Sequence, residues 1–216
     1  MTWVESITRH FIGTHSASGS VTHRQRRWND LATRFPDLAD MSVLDMGGTV
    51  ESWRLCPTQP ARLVLLNTFA QESEAEVIVG DACEPPAALQ SQNFDLVFSN
   101  SVIEHVGGAW RRQRFAAAVR SLGSHHWIQT PYRYFPVEPH FLCPGLQYMP
   151  KAIGAHVVVR WPFGNYAHTL ESAADALPYL DDIDLLSRAQ MHQYFPESEI
   201  RLERFGPLVK SLIAVR

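Results

Sequence analysis

Five short runs of consecutive apolar residues lie between residues 42 and 130, and they constrain the fold more than any other feature. Continuous apolarity is typical of parallel strands that are covered on both faces, whereas a half-exposed antiparallel strand alternates. An amphipathic helical pattern over 109–122 separates the fourth run from the fifth. Strands and helices in this order predict a doubly wound α/β sheet. The five runs are 42–45, 62–67, 77–81, 94–100 and 126–130.

The remaining segments complete a single predicted domain over residues 1–216, a length that one core can serve. Residues 1–40 are predicted to form an N-terminal helical cap, with a mobile small-residue loop at 13–20 and a helix over 21–38. A helical pattern returns at 182–194. Two closing strands, 199–205 and 209–215, predict an antiparallel hairpin at the end of a sheet of seven strands.

A proline-rich segment, residues 132–175, interrupts the strand–helix alternation. Such a long irregular stretch inside a compact domain is usually functional, and we predict a lid or substrate wall. Packing beneath the lid accounts for most of its aromatic residues. Aromatic faces next to charged groups also suit a polar ring such as a sugar; the charged and imidazole groups are Arg133, Glu138, His140 and His168.

Composition excludes several classes of protein. The chain has 216 residues, a net charge of −3 and a pI of about 6.3, which argues against a nucleic-acid partner held mainly by charge. No apolar run approaches the ~20 residues of a membrane span, and the start lacks a basic-then-apolar leader. The arginines at 24–27 and 111–120 are predicted to lie on solvated helix faces. Three widely spaced cysteines predict free thiols and a cytoplasmic location; they are Cys56, Cys83 and Cys143.

Polar and glycine residues follow successive strands of the predicted sheet. The carboxyl ends of parallel strands meet at one edge, so these residues are expected to line one ligand site. Glycines let the backbone approach a ligand closely, although the dinucleotide GxGxxG pattern is absent. An amide can bond to ribose hydroxyls, and a carboxylate can accept from an exocyclic amine. The candidates are Asp45, Gly47, Gly48, Asn67, Asp81, Ala82, Asn100 and Ser101.

Three motifs, VLDMGG, GDA and FDLVFSNSVIEHV, resemble those of class I S-adenosylmethionine-dependent methyltransferases of the small-molecule, type 11 group, over roughly residues 40–135. The resemblance implies a Rossmann-like fold and S-adenosylmethionine as cofactor. It implies that Asp45 and Gly47 lie at the amino-acid end of the cofactor, Asp81 and Ala82 at adenine, and Asn100 or Ser101 beside the methionyl group. The chain departs from the family at Thr49, where glycine is usual, and at Asn67, where a carboxylate is usual.

Methyl transfer to a hydroxyl needs a group that takes the proton. We predict His140 as that base, with Glu104 orienting it and His105 as a third catalytic candidate. Alternatively, His140 only bonds to loop backbone, Glu104 only stabilises the start of a helix and His105 only holds the turn. Glu104, Glu138 and His140 also form a candidate site for Mg²⁺ or Mn²⁺.

The PYRYFPVEPHF segment is similar to sugar O-methyltransferases of actinobacteria. This resemblance implies a small acceptor, a sugar or oligosaccharide hydroxyl, and a role in polysaccharide biosynthesis. Two alternatives stay open at this point: an N-methyltransferase acting on a small amine, for which a base matters less, and a non-catalytic cofactor-binding protein of the same fold. The sequence gives no prediction of the oligomeric state.

Overall fold

A seven-stranded sheet forms the centre of the molecule. The computed structural model describes residues 17–216 except Gln71, Asn165, Ala167 and His168. The predictions for residues 1–16 and for His168 therefore lie outside the described residues. The described residues contain nine strands: β1 Ser42–Met46, β2 Arg62–Asn67, β3 Glu76–Val79, β4 Phe94–Asn100, β5 Gly123–Pro131, β6 Val137–Glu138, β7 Cys143–Pro144, β8 Glu199–Phe205 and β9 Leu208–Val215.

The strand order of the large sheet is β3-β2-β1-β4-β5-β9-β8, and β6 and β7 pair separately. Strands β1 to β5 are parallel to one another, and β9 runs antiparallel to both β5 and β8. From β1, the chain adds β2 and β3 on one side and then adds β4 and β5 on the other side, so the strand order reverses beside β1. The carboxyl ends of β1, β2, β3 and β4 meet at one edge of the sheet. This arrangement confirms the predicted Rossmann-like, doubly wound sheet with an antiparallel closing hairpin.

Helices cover both faces of the sheet. They are α1 Ala17–Arg34, α2 Val50–Trp53, α3 Ala87–Gln90, α4 Ala109–Leu122, α5 Lys151–Arg160, α6 Ala173–Asp182 and α7 Arg188–Tyr194. Within β1, Leu44 packs with Phe115 of α4 on one face, and Val43 packs with Trp28 of α1 on the other. Two buried faces explain the continuous apolar runs of the sequence. In the described part of the chain, no helix combines the length and apolarity that a membrane crossing requires.

The N-terminal predictions need correction. Residues 17–20, predicted as loop, begin α1, and the helix ends at Arg34 rather than at residue 38. Pro36 explains the early end, because a proline disfavours the helical conformation of the residue before it. A separate 3-10 turn, Leu38–Asp40, leads into β1.

The segment between β5 and α7 contains more regular structure than predicted. It holds the β6–β7 hairpin, α5 and α6, with a core of its own that includes Phe141, Ala155 and Leu180. The sequence predicted a single helix over 182–194. The structure has instead the end of α6 and a separate helix α7, which begins after Ser187 and is stabilised by a capping box of Ser187 and Gln190.

Helix α4 places its arginines differently from the prediction. Arg112, predicted to face solvent, is buried and pairs with Asp184, whereas Trp110 is exposed. The buried stripe runs through Arg112, Phe115 and Val119 at helical spacing, and Trp110 lies off this stripe. The segment that follows α6 covers the stripe and supplies the partner of Arg112.

Candidate active site

The loop after β1 forms the centre of the candidate site. Gly47 has a φ of 92°, and its backbone N–H donates to the Leu66 carbonyl over 2.7 Å. A Cβ at Gly47 would lie 2.5 Å from Val102 Cγ2, so the close approach of the two loops requires glycine. Thr49 has an extended backbone, with a φ of −130°, and is the N-cap of α2. A side chain at this position is therefore accommodated without a left-handed backbone.

A cavity of about 430 Å³ opens beside Gly47, over the ends of β2 and β3. Asn67 contributes to its wall while its amide donates to the Gly48 carbonyl over 3.2 Å and accepts from the Thr68 N–H. The residues lining this cavity include Gly47, Asn67, Gly80, Asp81, Ala82, Ser101, Val102, His105, Arg111 and Asp182.

Asp81 in this cavity is bound on both oxygens. It accepts from Arg111 Nη2 over 2.6 Å and from the Cys83 N–H over 2.8 Å. Burial raises the pKa of Asp81, but the hydrogen bonds from Arg111 and Cys83 and the charge of Arg111 outweigh it and hold the pKa below its ordinary value. The carboxylate is thus ionised at neutral pH and keeps free lone pairs for a further donor.

A second cavity, of about 340 Å³, lies on the other side of Gly47. Each volume falls in the ~300–1,000 Å³ range of ligand sites. The two cavities adjoin at Gly47, and the arrangement suits an elongated ligand with two differing ends. The second cavity is lined by Arg27, Trp28, Asp45, Gly47, Gly48, Thr49, Glu51, Ser52, Leu55, Phe98 and Asn100.

Asp45 and Arg27 give the second cavity a carboxyl group and a guanidinium group. Asp45 is fully buried and accepts from Trp53 Nε1 over 2.7 Å, while its Oδ1 has no hydrogen-bond partner among the described residues. Burial raises the pKa of Asp45 to about 7, against the opposing effect of hydrogen bonds from Trp53 and Gly48. Arg27 bonds to Asn100 Oδ1 and forms a two-point pair with Glu203.

Glu104, His105 and His140 come together at the loop after β4. Glu104 is fully buried; its Oε2 accepts from Thr130 Oγ1 over 2.9 Å, and its Oε1 has no hydrogen-bond partner in the described chain. The Nε2 atoms of His105 and His140 are 3.1 Å apart. On the far side of each ring, Nδ1 meets a carboxylate: Asp182 for His105 at 2.7 Å and Glu138 for His140 at 2.6 Å.

The charges of this cluster favour protonation. Burial raises the pKa of Glu104, and the nearby His105 and His140 reduce that rise without cancelling it. Burial alone would lower the pKa of His140, but the hydrogen bond and charge of Glu138, with the charges of Glu104 and Asp182, outweigh it and leave the pKa raised. Glu104 and His140 therefore each keep a proton to a higher pH than the same group would in water.

The structure groups the sequence-predicted metal ligands differently. Glu138 points both oxygens at its own loop, accepting from His140 Nδ1 and from the backbone N–H groups of His140 and Phe141. The ligand atoms of Glu104, His105 and His140, in contrast, lie within 4.8 Å of one another. Glu138 is thus an orienting partner of His140, and His105 takes its position in the set.

The predicted cofactor residues divide between the two cavities. Asn67, Asp81, Ala82 and Ser101 line the first, whereas Asp45, Gly48 and Asn100 line the second, and Gly47 lines both. Ser101 has a φ of 58° and bonds to Gln129 Oε1 over 3.0 Å. The left-handed backbone at Ser101 turns the chain, so that Asn100 lines the second cavity and Ser101 lines the first.

Three site residues were missed by the sequence reasoning. Arg27 was assigned to a solvated helix face, yet it reaches across to β4 and β8. Arg111 was placed on a solvated face too, and it pairs with Asp81. Asp182 carries no motif, and it reaches His105 because α6 ends above the loop after β4.

Comparison with known proteins places the fold. No family model matches the chain, and no curated protein matches it. Solved structures do match. Magnesium protoporphyrin IX methyltransferase from Synechocystis, crystallised with bound SAH, has a TM-score of 0.51 and 11% identity over 90% of this chain and 84% of its own. The N-methyltransferase NodS from Bradyrhizobium japonicum has a TM-score of 0.51 and 10% identity over 90% of this chain and 95% of its own.

A third similar structure, from Rhodobacter sphaeroides, is named after Zn-dependent alcohol dehydrogenases; it has a TM-score of 0.54 and 10% identity over 85% of this chain and 87% of its own. At such identities the likeness concerns the fold, and function has to be argued from the site. The chain has the Rossmann-like fold of the Synechocystis and Bradyrhizobium methyltransferases.

Proposed function

We propose that the protein is an S-adenosylmethionine-dependent methyltransferase that methylates a hydroxyl group of a small acceptor. The observation that carries this proposal is the pair of cavities that meet at Gly47, at the carboxyl ends of β1, β2 and β4. Ligands of doubly wound sheets bind at this edge, where the strand order reverses. The fold shared with methyltransferases supports the same conclusion.

The two cavities match the two ends of the cofactor. In the first, Asn67 would meet the ribose hydroxyls, and Asp81 with Ala82 would meet adenine. In the second, the buried Asp45 oxygen without a partner suits the ammonium group, and Arg27 supplies positive charge for the carboxylate. The sulfonium would then lie beside Gly47, where the two cavities meet.

Methyl transfer is an in-line displacement at the sulfonium methyl group. With S-adenosylmethionine bound, the acceptor oxygen would form a bond to the methyl carbon as the carbon–sulfur bond breaks, and the electron pair of that bond would stay on sulfur in S-adenosylhomocysteine. The acceptor proton goes to the cluster of Glu104, His105 and His140. Because Glu138 accepts from Nδ1–H of His140, the lone pair of that ring is on Nε2, the atom that faces Nε2 of His105. Proton removal contributes ~10²–10⁴-fold to such reactions.

The acceptor is proposed to bind under the insertion. A cavity of about 200 Å³ there is lined by Arg133, Glu138 and Asp184 among apolar residues that include Phe141 and Leu146. Glu138 links it to His140, and His105 faces the first cofactor cavity. Charged groups among apolar walls support a polar acceptor, with a sugar or oligosaccharide hydroxyl as the specific proposal and polysaccharide biosynthesis as the role. We place the protein in the cytoplasm, because its three cysteines are free and buried.

A screen with S-adenosylmethionine tests the activity. Sugars, phenols and amines are each incubated with the protein, and products are detected by mass gain of one methyl group. The proposal predicts methylation of a hydroxyl compound and a loss of roughly 10²-fold or more in turnover for His140→Ala, with His156→Ala, an exposed histidine on α5, unchanged. Methylation of amines alone, with full turnover in Glu104→Ala, His105→Ala and His140→Ala, would overturn the hydroxyl assignment.

A further inference from the structure

Two histidine nitrogens face each other across the candidate active site. Asp182 and Glu138 accept hydrogen bonds from Nδ1–H of His105 and His140, at 2.7 and 2.6 Å. These bonds fix the tautomer, so that the lone pair of each neutral ring is on Nε2. The two Nε2 atoms are 3.1 Å apart, with the rings nearly perpendicular at 86°. Two lone pairs at this separation require a positive charge between them.

The buried carboxylate beside the two rings requires a positive partner as well. Glu104 is fully buried, and its Oε1 has no hydrogen-bond partner among the described residues. A buried carboxylate oxygen without a partner is costly. One proton shared by the two rings would join the nitrogens but would not bind Glu104. A cation in contact with all three side chains satisfies every one of these atoms.

We propose that Glu104, His105 and His140 bind one divalent transition-metal ion. Their ligand atoms lie within 4.8 Å of one another. For metal–nitrogen bonds of about 2.1 Å, two ligands on one ion are roughly 3.0–3.4 Å apart, and the 3.1 Å between the Nε2 atoms falls within that range. To join them on one ion, the Glu104 carboxyl group would have to turn toward the two rings.

The donor set selects the type of metal. Two imidazoles and one carboxylate suit Mn²⁺, Co²⁺ or Zn²⁺, whereas Mg²⁺ prefers oxygen ligands alone. Asp182 and Glu138 complete the site as partners of the Nδ1 atoms, the usual surroundings of metal-bound histidine. The sequence had suggested Mg²⁺ or Mn²⁺ and had included Glu138 among the ligands; the two imidazoles favour a transition-metal ion over Mg²⁺, and the geometry replaces Glu138 by His105.

Three protein ligands leave coordination positions free for a substrate oxygen. This role rests on the proposed function: an acceptor hydroxyl bound to the ion would lose its proton more readily, because the cation stabilises the alkoxide. His140 would then act as a ligand instead of the base, and the proton of the coordinated hydroxyl would pass to solvent water. The binding of the ion itself does not depend on the activity.

Metal titration of the chelator-treated full chain tests the proposal without cofactor or acceptor. Isothermal calorimetry with Mn²⁺ and with Zn²⁺ is expected to show one ion per chain. His105→Ala, His140→Ala and Glu104→Gln should each weaken binding by at least about 100-fold, and Glu138→Gln by roughly 10–100-fold because it only orients His140. His156→Ala, which removes an exposed histidine outside the cluster, should bind as the unmodified protein does.

Thermal unfolding checks that each variant is folded and provides a second readout. The ion should raise the unfolding temperature of the unmodified protein and of His156→Ala, but not that of His105→Ala or His140→Ala. Absence of binding by Mn²⁺ and Zn²⁺, or equal binding by the folded His105→Ala and His140→Ala variants, would overturn the proposal. Because S-adenosylhomocysteine binding is measured separately, failure of the metal site would be distinguishable from failure of the proposed activity.

Discussion

At the scale of single residues, the buried carboxyl group of Asp45 joins stability to the candidate cofactor site. Strand β1 carries it to the wall of the second cavity, where Trp53 and Gly48 are its hydrogen-bond partners. Gly48 is tightly constrained by this group, since a Cβ there would lie 1.7 Å from Asp45 Oδ2. The chain therefore keeps a titratable group in a place where an amide would be cheaper to bury.

Replacing Asp45 by asparagine is expected to change the pH dependence of stability. Burial raises the pKa of Asp45 from 3.8 to about 7, so between these values the folded protein holds a proton that the unfolded chain has lost. The stability that this group contributes is present at low pH and is lost as the pH rises through about 7. The advantage of Asp45→Asn over the unmodified protein should grow by about 2–4 kcal/mol from pH 5 to pH 8.

Urea unfolding at several pH values measures this difference. Asp40→Asn, at an exposed position before β1, serves as the control and should show no comparable growth. A difference between Asp45→Asn and the unmodified protein that is the same at pH 5 and pH 8 would contradict the assignment of a raised pKa to Asp45.

At the scale of elements, helix α1 is attached to the sheet by Arg27 and an aromatic cluster. Trp28 stacks on Phe98 of β4 with ring centroids 5.1 Å apart. Arg27 spans from α1 to Glu203 of β8, and each side chain of this pair is 15% exposed. Burial raises the pKa of Glu203, but the charge and hydrogen bond of Arg27 outweigh it and keep the pKa low. The ion pair of Arg27 and Glu203 thus helps to hold α1, which lines the second cavity, against the sheet.

Removal of Arg27 is expected to destabilise the protein by about 2–3 kcal/mol, because it leaves the largely buried Glu203 carboxylate without its partner. Arg54→Ala is the matched control: its partner Glu51 lies in an exposed pair, at 72% and 75% exposure. That change should cost less than about 1 kcal/mol. If denaturant unfolding gave equal losses of unfolding free energy for Arg27→Ala and Arg54→Ala, the pair of Arg27 and Glu203 would stabilise the protein no more than an exposed surface pair does.

Strands were predicted from the sequence more closely than helices. Continuous apolar runs placed β2 and β4 at their observed bounds, because burial of both strand faces leaves a direct signal. Helix ends depend on local capping instead. The capping boxes at Ser172 and Ser187 begin α6 and α7, but the apolar residues of 183–186 continued the helical pattern across the break. Packing of the insertion decided that boundary, and packing cannot be derived from periodicity.

At the scale of the whole molecule, the candidate site joins parts of the chain that are distant in sequence. Glu104, His105, Glu138 and His140 were predicted because they follow the fourth and fifth strands. Asp182 was not, because the last turn of α6 reaches His105 only through the folded insertion. Likewise, the ends of β1, β2 and β4 were predicted to share one edge, but the division into two cavities at Gly47 depends on the loop geometry.

The central claim is that the two cavities around Gly47 hold one cofactor molecule, and calorimetric titration with S-adenosylhomocysteine tests it most directly. We expect one-to-one binding by the unmodified protein and a loss of at least about 10-fold in affinity for Gly47→Ala, whose Cβ would meet Val102. Gly206→Ala, at a hairpin turn with nothing within 4 Å of the added Cβ, should bind normally. No binding heat and no thermal shift in the unmodified protein, or normal binding by Gly47→Ala, would contradict the account.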